Sequence, residues 1–179
     1  PQRIAILDMA SLDILDALGL GDRVVGSAQT SLDYLQQYVT DENVANLGTI
    51  KEADLEAVMA CEPDVIFIGG RLSGSYDALS EIAPGVYLSV VESVRQNAAT
   101  IASMFGLEDQ VESLMADFSA RVDALAAFAE GKTAVVGLCT SGSFNVLGSD
   151  GRCSIISVEI GFDNLGDGDV TSTHGNESS

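Results

Sequence analysis

The order in which short apolar runs and helical segments alternate constrains this chain more than any other property. Arg3–Leu7 (RIAIL) reads as a buried strand. It leads through Asp8–Ser11 into LDILDALGL, where Leu12, Leu15 and Leu18 fall at helical spacing and Gly19 and Gly21 supply a stop. Arg23–Val25 begins a second strand, a helical stretch covers Leu32–Tyr38, and a weak strand lies near Val44–Leu47. Thr49 or Lys51 opens a helix with Leu55, Val58 and Met59 on one face, ending before Pro63. Asp64–Ile68 (DVIFI) is the clearest strand and runs into Gly69-Gly70. Tyr76–Ile82 reads as a helix stopped by Pro84-Gly85, and Val86–Val90 as another strand. Strands alternating with helices in this way imply a mostly parallel α/β sheet.

The pattern then changes. From Val91 to Glu130 the main breaker is Gly106, and Val111, Leu114, Met115, Phe118, Val122, Leu125 and Phe128 recur at spacings of three and four. That predicts a helix of about 20 residues or more, roughly 30 Å long. After Gly131, Thr133–Cys139 (TAVVGLC) and Phe144–Leu147 read as strands and Ile155–Ile160 as helical. The stretch from Asp163 to Ser179 is polar and Gly-rich, with no further strand or helix expected. A strand pair and one helix cannot bury a core of their own. The expected architecture is therefore α/β, with two parallel-sheet lobes joined by a long bridging helix and the second lobe incomplete in this chain. The N-terminal lobe covers 1–92, the bridging helix region 93–131 and the start of the C-terminal lobe 132–179.

Charge narrows the function. Eight basic residues against 27 acidic ones give a formal net charge of -19 over 179 residues. Such a chain is repelled by a nucleic-acid duplex or an anionic membrane surface. No run approaches the roughly 18 apolar residues of a membrane span, and the start PQRIAILD has no basic-then-apolar signal pattern. Cys61, Cys139 and Cys153 form neither a CxxC nor a zinc spacing, so the count fits free thiols or a single Cys139–Cys153 disulfide.

In doubly wound sheets ligands bind outside the carboxyl ends of the strands. That rule selects the loops Asp8–Ser11, with Met9 and Ser11 as ligand-side residues, Gly69–Ser75 (GGRLSGS) and Thr140–Arg152 (TSGSFNVLGSDGR). Two of these loops carry an arginine in a Gly/Ser-rich setting, Arg71 and Arg152. Guanidinium keeps its charge and offers a planar fork of donors suited to oxyanions, and glycines beside it allow close approach. Each arginine could instead pair with a surface carboxylate. Occurring at equivalent loops of two α/β units, the two favour an anionic ligand. His174, in STHGNESS, is the only histidine. It is either a solvated tail residue or one ligand to a metal that arrives already chelated, since no His, Cys or carboxylate cluster accompanies it. Cys139 or His174 as the catalyst of an α/β enzyme is a competing reading, and a protein-interaction module is a third.

Several segments are similar to one family in order. They are DMASLDILDALGLGDRVVG, then LGTIKEADLEAVMACEPDVIFIGGRLSGSYDALSEIAPGVYLSV, the long helix, GSDGR and STHG, with PDVIFIGGR and STHG the most specific. The chain resembles the periplasmic siderophore-binding proteins of ABC importers, in the branch that includes CeuE and the petrobactin- and anguibactin-binding lipoproteins. That resemblance implies a class III solute-binding protein: two α/β lobes, one rigid helix, and an Fe(III)–siderophore complex, of catecholate type, in the cleft. It implies that Arg71 in GGRLSGSY and Arg152 in GSDGRCSII are cleft arginines. It implies that His174 reaches Fe(III) when the siderophore leaves coordination sites open. An inner-membrane ABC permease as partner, a monomeric state, a periplasmic location with a lipid anchor outside this chain, no intrinsic cofactor and no catalysis follow from the same resemblance. A haem, cobalamin or other metal-chelate binder of the same fold is the alternative. The family's third cleft arginine and its tyrosine have no counterpart in this chain, and YLSVVESVRQN is shorter than the family's usual connection to the long helix.

Overall fold

The computed structural model describes residues 1–88, 94–149, 153–166 and 177–178. The chain divides into two compact units, Pro1–Ser89 with Gln96–Val111, and Val90–Arg95 with Glu112–Ser179.

In the first unit, β1 (Ile4–Leu7), β2 (Val24–Ser27), β3 (Ala45–Asn46), β4 (Val65–Ile68) and β5 (Gly85–Tyr87) form one sheet in the order β3-β2-β1-β4-β5. Every pairing in it is parallel. Helices α1 (Met9–Ala17), α2 (Gln37–Thr40), α3 (Leu55–Ala60) and α4 (Tyr76–Ser80) fall between the strands, as the alternation predicts. All four residues of β1 and of β4 are buried, so both faces of the sheet centre are covered. Ala5, Leu7, Ile66 and Ile68 share a cluster with Leu47, Val58, Leu72 and Leu79. Alternation along the strands turns Ile4, Ile6 and Phe67 to the other face. Leu12 and Leu15 of α1 and Ile101 of α5 (Val94–Phe105) are buried outside that cluster. Burying a side chain such as Phe67 or Ile4 contributes about 1.5–3 kcal/mol, before conformational entropy is set against it.

Local chemistry moves some boundaries. Helix α3 opens at Leu55, not at Thr49 or Lys51, because the Asp54 side chain accepts from Ala57 N (3.0 Å) and caps it there. Upstream, the Thr49 hydroxyl accepts from Lys51 N and Glu52 N and holds a turn. Only Val58 of the expected apolar face is buried; Leu55 is 38% and Met59 60% exposed. A six-residue helix has too few turns to bury a full stripe.

The long apolar pattern resolves into α5 and α6 (Glu108–Ala129), broken at Gly106, whose φ is +68°. The 22 residues of α6 match the expected length, and the division between units falls within it, between Val111 and Glu112. Val122 and Ala129 are buried, whereas Leu114, Leu125 and Phe128 are exposed.

In the second unit the segment Thr133–Cys139 is two strands, not one: β6 (Thr133–Ala134) and β7 (Val136–Thr140). β7 pairs antiparallel with β8 (Ser143–Leu147) as a hairpin, so the strand read at Phe144–Leu147 is present, within the Thr140–Arg152 segment. β6 pairs parallel with β9 (Asp163–Asn164), and β10 (Glu177–Ser178) adds antiparallel to β8. Both lie in the stretch where no strand was expected, since two-residue pairings leave no periodicity to read. Ile155–Glu159 is a π-helical turn. Arg95 is held here by the Ser119 hydroxyl (2.9 Å) and the Glu159 carboxylate (3.2 Å), with its guanidinium 5.2 Å from the Phe118 ring centre.

Candidate functional site

The strand order of the first unit places a topological switch point between β1 and β4: the chain runs outward through β2 and β3 on one side, then through β4 and β5 on the other. The carboxyl ends of those two strands, Leu7 and Ile68, pair in register. The loops that follow, Asp8–Ser11 and Gly69–Ser75, therefore begin side by side, which is where open α/β sheets hold ligands.

Asp8 builds the first loop. Its extended backbone makes it the N-cap of α1, and its carboxylate accepts from Ser11 N (2.8 Å) and from the Ser11 hydroxyl (2.7 Å). Ser11 is thereby buried and its hydroxyl donates inward, while Met9 is half-buried at the first helical position. The second loop is fitted around this cap. A Cβ on Gly69 would stand 2.9 Å from Asp8 Oδ1, so glycine lets the β4 loop pass close to the carboxylate without displacing it. Beyond it, Gly70–Ser75 turns as a 3₁₀ helix whose Leu72 is buried in the core and whose Arg71 is exposed.

Arg71 has no carboxylate or other hydrogen-bonding partner among the described residues. The rest of the unit's basic residues give that meaning. Arg3 and Arg23 lie at the amino edge of the sheet and are engaged there. Arg3 donates to the carbonyls of Glu62 (2.9 Å) and Cys61, and Arg23 donates to the Pro1 carbonyl (3.0 Å) with its guanidinium 5.6 Å from the Phe105 ring centre. At the same edge Asp64 accepts from Gln2 N (2.6 Å) and Arg3 N (2.9 Å), and these bonds hold its carboxyl below the ordinary carboxylate range. Lys51, in the loop after β3, is exposed with an ammonium that bonds to nothing among the described residues. Cations with structural work thus sit at the amino edge, and cations available to a ligand sit at the carboxyl edge.

Met9 and Arg71 are therefore brought to adjacent strand ends, whereas Ser11, expected on the ligand side, is buried with its hydroxyl taken by the Asp8 cap; Arg152 and His174 lie outside the described residues. All three cysteines are free thiols, with Cys61 buried, Cys139 exposed on β7 and Cys153 half-buried. Burial pushes the Cys61 thiol up. Among the described residues no group of three or more His, Cys, Asp or Glu side chains could hold a metal ion, and no helix is long and apolar enough to cross a membrane. Sequence reasoning missed Tyr87. It ends β5 opposite Ile68, and its hydroxyl lies 3.4 Å from where a Cβ on Gly70 would stand. The signal available was the aromatic in VYLSV, placed after a Pro-Gly stop.

Comparison with known proteins agrees with the fold. A family model described as "Periplasmic binding protein" matches residues 4–174. The petrobactin-binding protein YclQ of Bacillus subtilis is 32% identical over 98% of the chain, and the ferric-anguibactin-binding protein FatB of Vibrio anguillarum is 26% identical over 93%. The chain spans 57% and 53% of those two proteins. The crystal structure of YclQ superposes over the whole chain with a TM-score of 0.88, covering 65% of its own length. That of the periplasmic catecholate-siderophore binding protein VctP of Vibrio cholerae, 26% identical, superposes over the whole chain with a TM-score of 0.86, covering 67% of its own length.

Proposed function

The chain belongs to the periplasmic binding protein family, and we propose that it captures an Fe(III)–siderophore complex of catecholate type outside the cytoplasm and delivers it to an ABC permease. The observation that carries this reading is Arg71. It is an exposed guanidinium with no partner among the described residues, at the switch point of a parallel sheet, in a chain whose net charge is -19. With so many carboxylates available, an arginine left unpaired beside two glycines is suited to an anion brought from outside. Ferric catecholates carry net negative charge and present oxygen acceptors, which a guanidinium fork binds in bidentate fashion. Arg152 adds a second cation in this reading. His174 supplies an imidazole to Fe(III) when the siderophore leaves coordination positions open, a role suited to neutral nitrogen. The iron is cargo, and no bond of the siderophore is made or broken. YclQ and FatB, whose names record ferric-siderophore or siderophore ligands, support the same direction.

The test is a visible absorption and circular-dichroism titration of the protein, Arg71→Ala and His174→Ala with tetradentate and hexadentate ferric catecholates. A saturable chiral charge-transfer band is expected. Arg71→Ala should weaken binding about 10- to 100-fold, as for loss of a charged hydrogen-bonding group. His174→Ala should erase the preference for the tetradentate chelate. No signal with any ferric chelate overturns the proposal.

A further inference from the structure

A groove of about 740 Å³ adjoins the Arg71 loop, with Ser73, Tyr76, Asp77, Tyr87, Thr100 and Met104 in its lining. Its floor is β5, the edge strand of the sheet. Side chains alternate along a strand, so Tyr87 shares the face of Gly85. A Cβ on Gly85 would stand 2.8 Å from Ser80 Oγ and 3.2 Å from Tyr76 Cε2, which identifies that face as the one α4 covers. Tyr87 thus lies on the α4 side at the carboxyl end of the strand. Its hydroxyl sits over the backbone of Gly70, the residue before Arg71.

The two tyrosines of the groove are in different situations. The Tyr76 hydroxyl donates to the Gly85 carbonyl (3.1 Å), which ties that ring to the strand. The Tyr87 hydroxyl has no hydrogen-bond partner among the described residues, and the residue is 44% exposed. An aromatic ring left open beside the loop that carries Arg71 matches a ligand that is aromatic in its plane and anionic at its edge. The ring would pack on Tyr87 while its oxygens reach Arg71. Asp77, the one carboxylate among the described lining residues, repels an anionic group placed beside it, so the anionic edge belongs on the side of the Arg71 loop. An aliphatic hydroxamate or carboxylate chelator could use Arg71 but would gain nothing from the ring.

We propose that Tyr87 is a specificity-determining residue: its ring forms an aromatic subsite beside the loop that carries Arg71 and selects catecholate or phenolate arms. This rests on the ferric-chelate reading above. The test compares the protein with Tyr87→Phe, Tyr87→Leu and Arg71→Ala, each titrated with a ferric catecholate by its charge-transfer circular dichroism, folding being checked by far-ultraviolet circular dichroism. Tyr87→Phe keeps the ring and should bind as the unaltered protein does. Tyr87→Leu fills similar space without a ring and should bind about 3- to 10-fold more weakly, the range of an aromatic pair. Arg71→Ala should weaken binding whichever residue stands at 87. Binding by Tyr87→Leu equal to that of the unaltered protein, or equal losses in Tyr87→Leu and Tyr87→Phe, overturns the subsite and leaves the ferric-chelate reading standing. Absence of binding by the unaltered protein overturns both.

Discussion

Asp8 links the end of one strand, the start of one helix and the passage of a neighbouring loop. Its carboxylate caps α1 through Ser11 N, takes the Ser11 hydroxyl as well, and stands where a side chain at residue 69 would go. Losing an N-cap of this type costs about 0.5–2 kcal/mol, and asparagine caps about as well as aspartate. Asp8→Ala should therefore lower unfolding stability by about 1 kcal/mol in urea, while Asp8→Asn should stay within a few tenths of the unaltered protein. Equal losses in both would show that charge, not the cap, is what position 8 contributes. The Asp8–Ser11 and Gly69–Ser75 loops were legible in the sequence because strand, small residues and helix start follow one another without interruption. Arg71 was legible for a related reason: basic residues are scarce here, so one after Gly-Gly at a strand end is conspicuous. Its lack of a partner was not legible. Nor was Tyr87, because its neighbourhood depends on the register between β4 and β5, which no local pattern encodes.

Among the elements, what the sequence made plain was what could be buried on both sides. β1 and β4 are continuous apolar runs, and their buried, parallel, central positions follow from that. β6, β9 and β10 have two residues each and are made by backbone pairing that apolar periodicity does not record. The α5–α6 stretch is the intermediate case. Its periodicity announced helix throughout, and the interruption falls at Gly106, with φ +68° and open space where a Cβ would go. Gly106→Ala consequently meets no clash and isolates the backbone conformation. Left-handed φ costs a non-glycine residue about 1–2 kcal/mol. The expected outcome is a destabilisation of about 1 kcal/mol in denaturant unfolding with the m-value unchanged. If Gly106→Ala were stabilising, the two helices would have merged into one, and a rise in helical circular dichroism would accompany it.

For the molecule as a whole, the decisive quantity is a net charge of -19 set against a proposed anionic ligand. The two statements conflict only if charge acts at one range. At about 10 mM salt the screening length is about 30 Å, and an approaching anion feels the summed carboxylates of the chain. At about 150 mM it is about 8 Å, and the anion feels little beyond its immediate surroundings, which at the carboxyl edge of the first unit include Arg71 and Lys51. Adding salt therefore removes the repulsive part of the field faster than the attractive part. The association rate of an anionic ferric chelate, followed by stopped flow, should rise several-fold between those two salt concentrations, the reverse of ordinary electrostatic steering. Arg71→Ala should slow association at 150 mM by a larger factor than at 10 mM, where distant carboxylates dominate. A rate that falls steadily with added salt would mean that local cations govern the approach at every range, and that the acidic surface serves another encounter. In the proposed delivery step a basic permease face is the partner that such a surface would suit, and the same screening would weaken rather than speed its docking.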